Sequence, residues 1–242
     1  MSNAFFEIPI PINEPVKEFR DGSIEKKELL NTIQEMKKNQ VDIPMIINGK
    51  EVKTSKKIEI RAPHNHKLKL GTFNEGDESH VKMAIDAALK AKKEWGSMSW
   101  QSRASIFLKA AELIAGPYRS KINGSTMLGQ SKNVFQAEID AACEFIDFLN
   151  FNASYMEEIY KNQPESSDGM WNRLDYRPLE GFVFAISPFN FTSIAGNLCA
   201  SPALMGNTVV WKPAYPQIYS ANIIMEVFKE AGLPDGVINI IY

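Results

Sequence analysis

GFVFAISPFNF, residues 181–191, opens on a glycine, runs apolar from Phe182 to Ile186, and turns at Ser187-Pro188 before presenting Asn190 between two phenylalanines. An unbroken apolar run bounded by glycine and proline is the pattern of a strand buried on both faces of a parallel sheet. Downstream, FTSIAGNLCASPALMGN (191–207) places small residues at helical spacing, and TVVWKP (208–213) is a second apolar strand. SANIIMEVFKEAGLP (220–234) is a helix ended by Gly232 and Pro234, and VINIIY (237–242) is a third strand. Strand, helix, strand, helix, strand in this order predicts an α/β fold: a doubly wound, Rossmann-like parallel sheet with right-handed crossovers.

Upstream, WNRLDYRPLEG (171–181) is extended, and NQPESSDG (162–169) ends a long helix over about Val134 to Tyr160. That helix has Phe135, Ile139, Ala142, Phe145, Ile146 and Leu149 as its apolar side, with Glu138, Asp140, Asp147 and Glu157 elsewhere. Two shorter helices follow Asp77, one on Val81, Ile85, Ala88, Leu89 and Trp95, the other on Ile106, Phe107, Ala110, Leu113 and Ile114. MIINGKEV (45–52) sets Asn48-Gly49 between apolar runs, as a type I′ hairpin requires, and KIEIRAP (57–63) reads as a strand. Pro9, Pro11 and Pro15 make the first twenty residues an extended arm, and a short amphipathic helix follows Ser23. The expected parts are 1–44, an arm and helix; 45–165, a hairpin and helical part; 166–180, an extended oligomerisation segment; and 181–242, the start of the sheet.

The 242 residues are 44% hydrophobic and 23% charged, with a net charge of −2, an ordinary globular composition without the basic surface that phosphate backbones need. Nucleic acid and membrane partners are not expected. The first residues carry Glu7 and Glu14 and no long apolar stretch, and two cysteines in unrelated contexts suggest neither a disulfide framework nor a metal site. A cytoplasmic protein without a metal is the expectation.

In open parallel sheets ligands gather at the carboxyl ends of strands, so SPFN and KPAY are the peptides to weigh. Asn190 is either an amide donor for an oxygen bearing developing charge or the N-cap of the following helix. Lys212 is either a solvated cation or a group that holds ribose hydroxyls or a phosphate. Their order and separation, with PALMGNTVVWKPA and EAGLPDGVINIIY, resemble the aldehyde dehydrogenase superfamily. The resemblance extends to INGKEV and to AIDAALKAKKEWGSMSWQSRASIFLKAAELI, and covers nearly the whole chain. FQAEIDAACEFIDFLNFNASYMEE, together with Phe191 and Thr192 after the asparagine, resembles its Δ1-pyrroline-5-carboxylate dehydrogenase branch.

That resemblance implies NAD-dependent oxidation of glutamate semialdehyde to glutamate in proline breakdown, with a small-molecule aldehyde substrate. By residue, it implies that Asn190 stabilises the tetrahedral oxyanion, that Phe191 packs on the aliphatic part of the substrate and that Glu144 lies near its amino end. Ile186, Ser187, Pro188, Lys212, Pro213 and Ala214 would line the adenosine half of NAD. Tyr215 departs from the family pattern, which often has an acidic residue there to bind both ribose hydroxyls, so NAD against NADP stays open. Relatives oligomerise through a strand in the region of WNRLDYRP, which implies a homo-oligomer.

The family chemistry also needs a thiolate nucleophile and a water-activating glutamate, and in relatives both lie beyond the position matching Tyr242. An N-terminal portion, inactive alone, is therefore expected, with VINIIY as an open, aggregation-prone sheet edge. Cys199 lies on an apolar small-residue helix and Cys143 beside Glu144, contexts that oppose thiolate formation. The alternatives are an aldehyde dehydrogenase of another substrate branch and a nucleotide-binding module without chemistry.

Overall fold

The computed structural model describes residues 5–242; the first four residues of the expected arm lie outside them. α1 (Ile24–Lys38) starts at the N-cap Ser23, whose hydroxyl accepts the Lys26 N–H. β1 (Val41–Ile43) leads into the hairpin of β2 (Met45–Ile47) and β3 (Lys50–Val52). The turn holds Asn48 at φ 51° and Gly49 at φ 70°, the left-handed pair that Asn-Gly favours. β4 (Lys57–Ala62) and β5 (Asn65–Asn74) pair antiparallel, and β1 joins β5 in parallel to give a three-stranded sheet.

Helices α2 (Glu78–Ser97), α3 (Trp100–Ala115) and α4 (Arg119–Gln130) follow. α4 has no counterpart in the sequence reading: its buried face consists largely of Asn123, Gly124, Ser125 and Thr126, which give no hydrophobic period. The expected long helix is present but interrupted, as α5 (Val134–Ala137), a seven-residue π-helix (Glu138–Glu144) and α6 (Phe145–Lys161). Its polar side is not solvated. Glu138 and Asp140 are buried, as is Glu157, whereas Phe135, expected in the core, is exposed.

Glu138 and Glu157 are covered because, with Asp147, they hold the arm, whereas Asp140 faces the Thr192 N–H. Glu157 accepts the Ile8 N–H at 3.0 Å, Asp147 the Glu14 N–H at 2.7 Å, and Glu138 the Lys17 N–H at 2.9 Å. The arm's prolines lack N–H groups, so these are among the few donors that it can offer. Arg119 of α4 closes the junction by pairing with both Glu138 and Glu14.

β6 (Val183–Ser187), α7 (Thr192–Leu204), β7 (Val209–Pro213), α8 (Ile218–Ala231) and β8 (Ile238–Ile240) form the expected alternation, with a 3₁₀ turn (Tyr215–Gln217) ahead of α8. β6, β7 and β8 are parallel, in a five-stranded sheet of order β3-β2-β8-β7-β6. Two expectations fail here. β8 is interior, paired with β7 and, through Ile240 and Ile46, with the hairpin, so VINIIY is no open edge. The sheet's edges are β3 and β6; in β6, Phe184 and Ile186 are 53% and 64% exposed between buried Ala185 and Ser187, so this strand is covered on one face and not on both. Among the described residues no helix is long and apolar enough to cross a membrane.

Candidate functional site

The parallel register sets Ile186 against Lys212 and Ser187 against Pro213, so SPFN and KPAY leave the sheet side by side at one rim. Buried hydrogen bonds tie them together. The Ser187 hydroxyl donates to Gln217 Oε1 at 2.8 Å and accepts from Trp211 Nε1 at 3.0 Å, while Gln217 Nε2 donates to the Phe191 carbonyl at 2.6 Å. The 3₁₀ turn after β7 thus fixes the backbone at the Phe191 carbonyl, one residue after Asn190. Ser187 and Pro213 are buried, so of the residues named for the cofactor cleft only Ile186, Pro188, Lys212 and Ala214 present side chains at the surface of the rim.

Asn190 does not cap α7. The N-cap position is Phe191, in extended conformation (φ −132°, ψ 114°) and without a side-chain cap bond. The free N–H groups of Thr192 and Ser193 are taken by Asp140 of the π-helix, at 3.1 Å each. A carboxylate from another element, at the positive end of the α7 dipole, does what a local asparagine would otherwise do. The half-buried Asn190 side chain has no hydrogen-bond partner among the described residues, which leaves its amide available at the rim.

Around the first turn of α7, which directly follows Asn190-Phe191, the structure gathers residues from three elements. Lys132 Nζ pairs with Asp140 Oδ2 at 2.6 Å and lies 4.2 Å from the centroid of the Phe191 ring. Ser193 Oγ lies 2.8 Å from Asp140 Oδ1 and 3.0 Å from Glu144 Oε2. Glu144 and Phe191, both selected from sequence, are therefore brought to the same side of the rim. Lys132, Asp140 and Ser193 were missed, although Asp140 lies four residues before Glu144 on the same helical segment, a spacing that shares a face. On the other side, Lys212 Nζ lies 5.0 Å from the Tyr215 ring centroid, and the Tyr215 hydroxyl donates to Glu75 at 2.7 Å. That hydrogen bond raises the Tyr215 pKa above its usual value, and Lys56 beside Glu75 lowers the pKa of that carboxyl.

The far end of α7 is also fixed: Trp95 Nε1 donates to the Ala203 carbonyl and Arg103 Nε to the Leu204 carbonyl, both at 2.9 Å. Neither cysteine belongs to the site. Burial, then Glu138 rather than the expected Glu144, pushes the Cys143 thiol up to about 12, and burial alone holds Cys199 well above its ordinary value. Among the described residues no group of three or more His, Cys, Asp or Glu side chains could hold a metal ion. A cavity of about 350 Å³ between the hairpin and α8, lined by Ile43, Pro44, Ile46, Leu233 and Ile238, opens at the opposite end of the strands.

A family model described as "Aldehyde dehydrogenase family" matches residues 51–242, most of the chain. The chain belongs to the aldehyde dehydrogenase family. Within it, the chain is 50% identical over 240 residues to the "Delta-1-pyrroline-5-carboxylate dehydrogenase" of Agaricus bisporus, covering 98% of this chain and 44% of that protein. It is 46% identical over 229 residues to the human "Delta-1-pyrroline-5-carboxylate dehydrogenase, mitochondrial", covering 95% of this chain and 41% of that one. The solved structure of the Mycobacterium tuberculosis Δ-pyrroline-5-carboxylate dehydrogenase bound with NAD superposes with a TM-score of 0.98 at 46% identity, over 99% of this chain and 45% of that chain. The chain thus spans less than half the length of these aldehyde dehydrogenases, and its fold is theirs over that span.

Proposed function

We propose that this chain supplies the cofactor cleft and part of the substrate pocket of an NAD-dependent dehydrogenase that oxidises L-glutamate γ-semialdehyde to glutamate in proline breakdown. The observation that carries this reading is the half-buried Asn190 side chain, without a hydrogen-bond partner among the described residues, in the peptide that leaves β6 beside the one that carries Lys212. In that reading the Asn190 Nδ2 donates to the aldehyde oxygen as negative charge develops on it. Phe191 covers the aliphatic chain of the substrate, and the Glu144 carboxylate faces its ammonium group.

The rim residues fit a dinucleotide. Lys212 offers a cation to ribose hydroxyls or phosphate, Ile186 and Pro188 offer apolar surface, and the carboxyl ends of parallel strands are where such ligands lie. NAD, when bound, serves as hydride acceptor. The thiol nucleophile is not Cys143 or Cys199, whose raised pKa values keep them protonated. It comes from outside these residues, so the 242 residues alone form no NADH. The exposed Met170, Trp171 and Leu174 of the 166–180 segment support a homo-oligomer built through it. The four parts named above, and a cytoplasmic location for which two free thiols are the support, belong to the same proposal.

The test is NADH formation by the complete enzyme with L-glutamate γ-semialdehyde, measured beside a panel of plain aldehydes. Turnover with a preference for the amino-acid aldehyde supports the proposal. Absence of NAD-dependent turnover with any aldehyde refutes it.

A further inference from the structure

We propose that Asp140 and Ser193 are positioning residues that keep the Glu144 carboxylate open for the ammonium group of an amino-acid aldehyde, with Lys132 held away from it against Phe191. The inference rests on the functional reading above and deepens it.

The argument starts from a count of donors. Asp140, 2% exposed, receives two backbone N–H groups from the start of α7 and the Lys132 ammonium. Its charge is neutralised and its oxygens are occupied. Glu144, half-buried on the next turn of the π-helix, meets no donor among the described residues other than the Ser193 hydroxyl. That hydroxyl also lies against Asp140 and has a single proton, which cannot serve both carboxylates at once. Glu144 is therefore left with at most one hydrogen bond for four lone-pair sites.

Lys132 is linked to Glu144 through Asp140 and Ser193, and the structure holds its charge elsewhere. Asp140 draws the ammonium to 2.6 Å and lays it 4.2 Å from the centre of the Phe191 ring, where charge and ring face attract. One cation against two carboxylates leaves this corner of the rim with one unbalanced negative charge. An ammonium ligand brings one positive charge and three donors, which match that deficit, and its aliphatic chain then lies along Phe191. The π-helix serves this arrangement: its wide turns direct Asp140 and Glu144 at Ser193 while Glu138 points to Arg119, and such segments recur at functional sites.

The decisive comparison is the ratio of kcat/KM for L-glutamate γ-semialdehyde to that for a plain aliphatic aldehyde of the same chain length, in the complete enzyme. Ser193→Ala and Asp140→Asn should each lower this ratio about tenfold, the size of one charge-assisted hydrogen bond, with the change in KM rather than in kcat. In Asp140→Asn the cause is Lys132 turning to Glu144, so adding Lys132→Met should restore part of the ratio. A purely structural role predicts equal losses for both aldehydes and no restoration, and that result would overturn the proposal. If Asp140→Asn does not fold, Ser193→Ala alone decides. An unsubstituted enzyme without preference for the amino-acid aldehyde overturns the functional reading itself, and so is distinguishable from failure of the variants.

Discussion

Replacing Arg119 with methionine should expose how firmly the arm and the π-helix are tied together. The Arg119 side chain is 5% exposed and Glu138 is fully buried. Nε lies 3.1 and 3.3 Å from the two carboxylate oxygens and Nη2 lies 2.5 Å from one of them. Without the guanidinium, Glu138 keeps Asn123 Nδ2 at 2.7 Å, the Lys17 N–H at 2.9 Å and the weak Cys143 thiol donor at 3.8 Å, neutral donors that do not balance a buried charge. Breaking one side of a buried pair costs about 3–5 kcal/mol, and the surviving donors place this case near the lower end, about 3 kcal/mol. For a chain of this size that corresponds to a fall in Tm of roughly 6–12 °C. The assay is urea and thermal unfolding of Arg119→Met, Glu138→Gln and the double variant. The double variant should be more stable than the sum of the single losses allows, because Glu138 then carries no unpaired buried charge and only the less buried Glu14 has lost its partner. A loss below about 1 kcal/mol in Arg119→Met, or strict additivity, would refute the reasoning.

Other outcomes follow from the same contacts. A Cβ at Gly196 would lie 2.2 Å from Cζ of the Phe145 ring, so Gly196→Ala should destabilise the α7 packing by about 1–3 kcal/mol, read by urea unfolding. Both thiols are buried and held protonated, so iodoacetamide at mild alkaline pH should leave Cys143 and Cys199 unmodified in the folded chain; rapid labelling seen by mass spectrometry would contradict their placement. Asp77, the N-cap of α2, is lowered from 3.8 to about 2, first by its hydrogen bond from Ser79 and then by His80. A depressed carboxyl adds stability that is present above its unfolded value and lost as pH falls towards its folded one. Asp77→Asn should therefore flatten the loss of stability between about pH 4 and pH 2.

The parallel core was legible because three apolar runs, each bordered by glycine or proline on at least one side, carry their own boundaries. Asn48-Gly49 was legible because positive φ at two successive positions suits few residue pairs. What escaped depends on partners distant in sequence. Nothing local in GFVFAIS shows that β6 is an edge strand paired with β7 alone, and nothing local in VINIIY shows that the distant hairpin pairs with β8 and makes it interior. Glu138 and Asp140 read as solvated because a carboxylate on a helix usually is; Arg119, the arm and the first turn of α7 bury them. At the site, Asn190, Phe191, Glu144 and Lys212 could be selected from residue type and resemblance. The groups that hold them, Asp140, Lys132, Ser193 and Gln217, could not, because each acts through a contact that only the folded chain creates.

The most direct measurement is the kinetics of Asn190→Ala in the complete enzyme, with its fold checked by unfolding. If this amide steadies the oxygen of the reacting aldehyde, kcat should fall by about 100- to 1000-fold while KM changes little. A kcat within a few-fold of the unsubstituted enzyme would contradict the account.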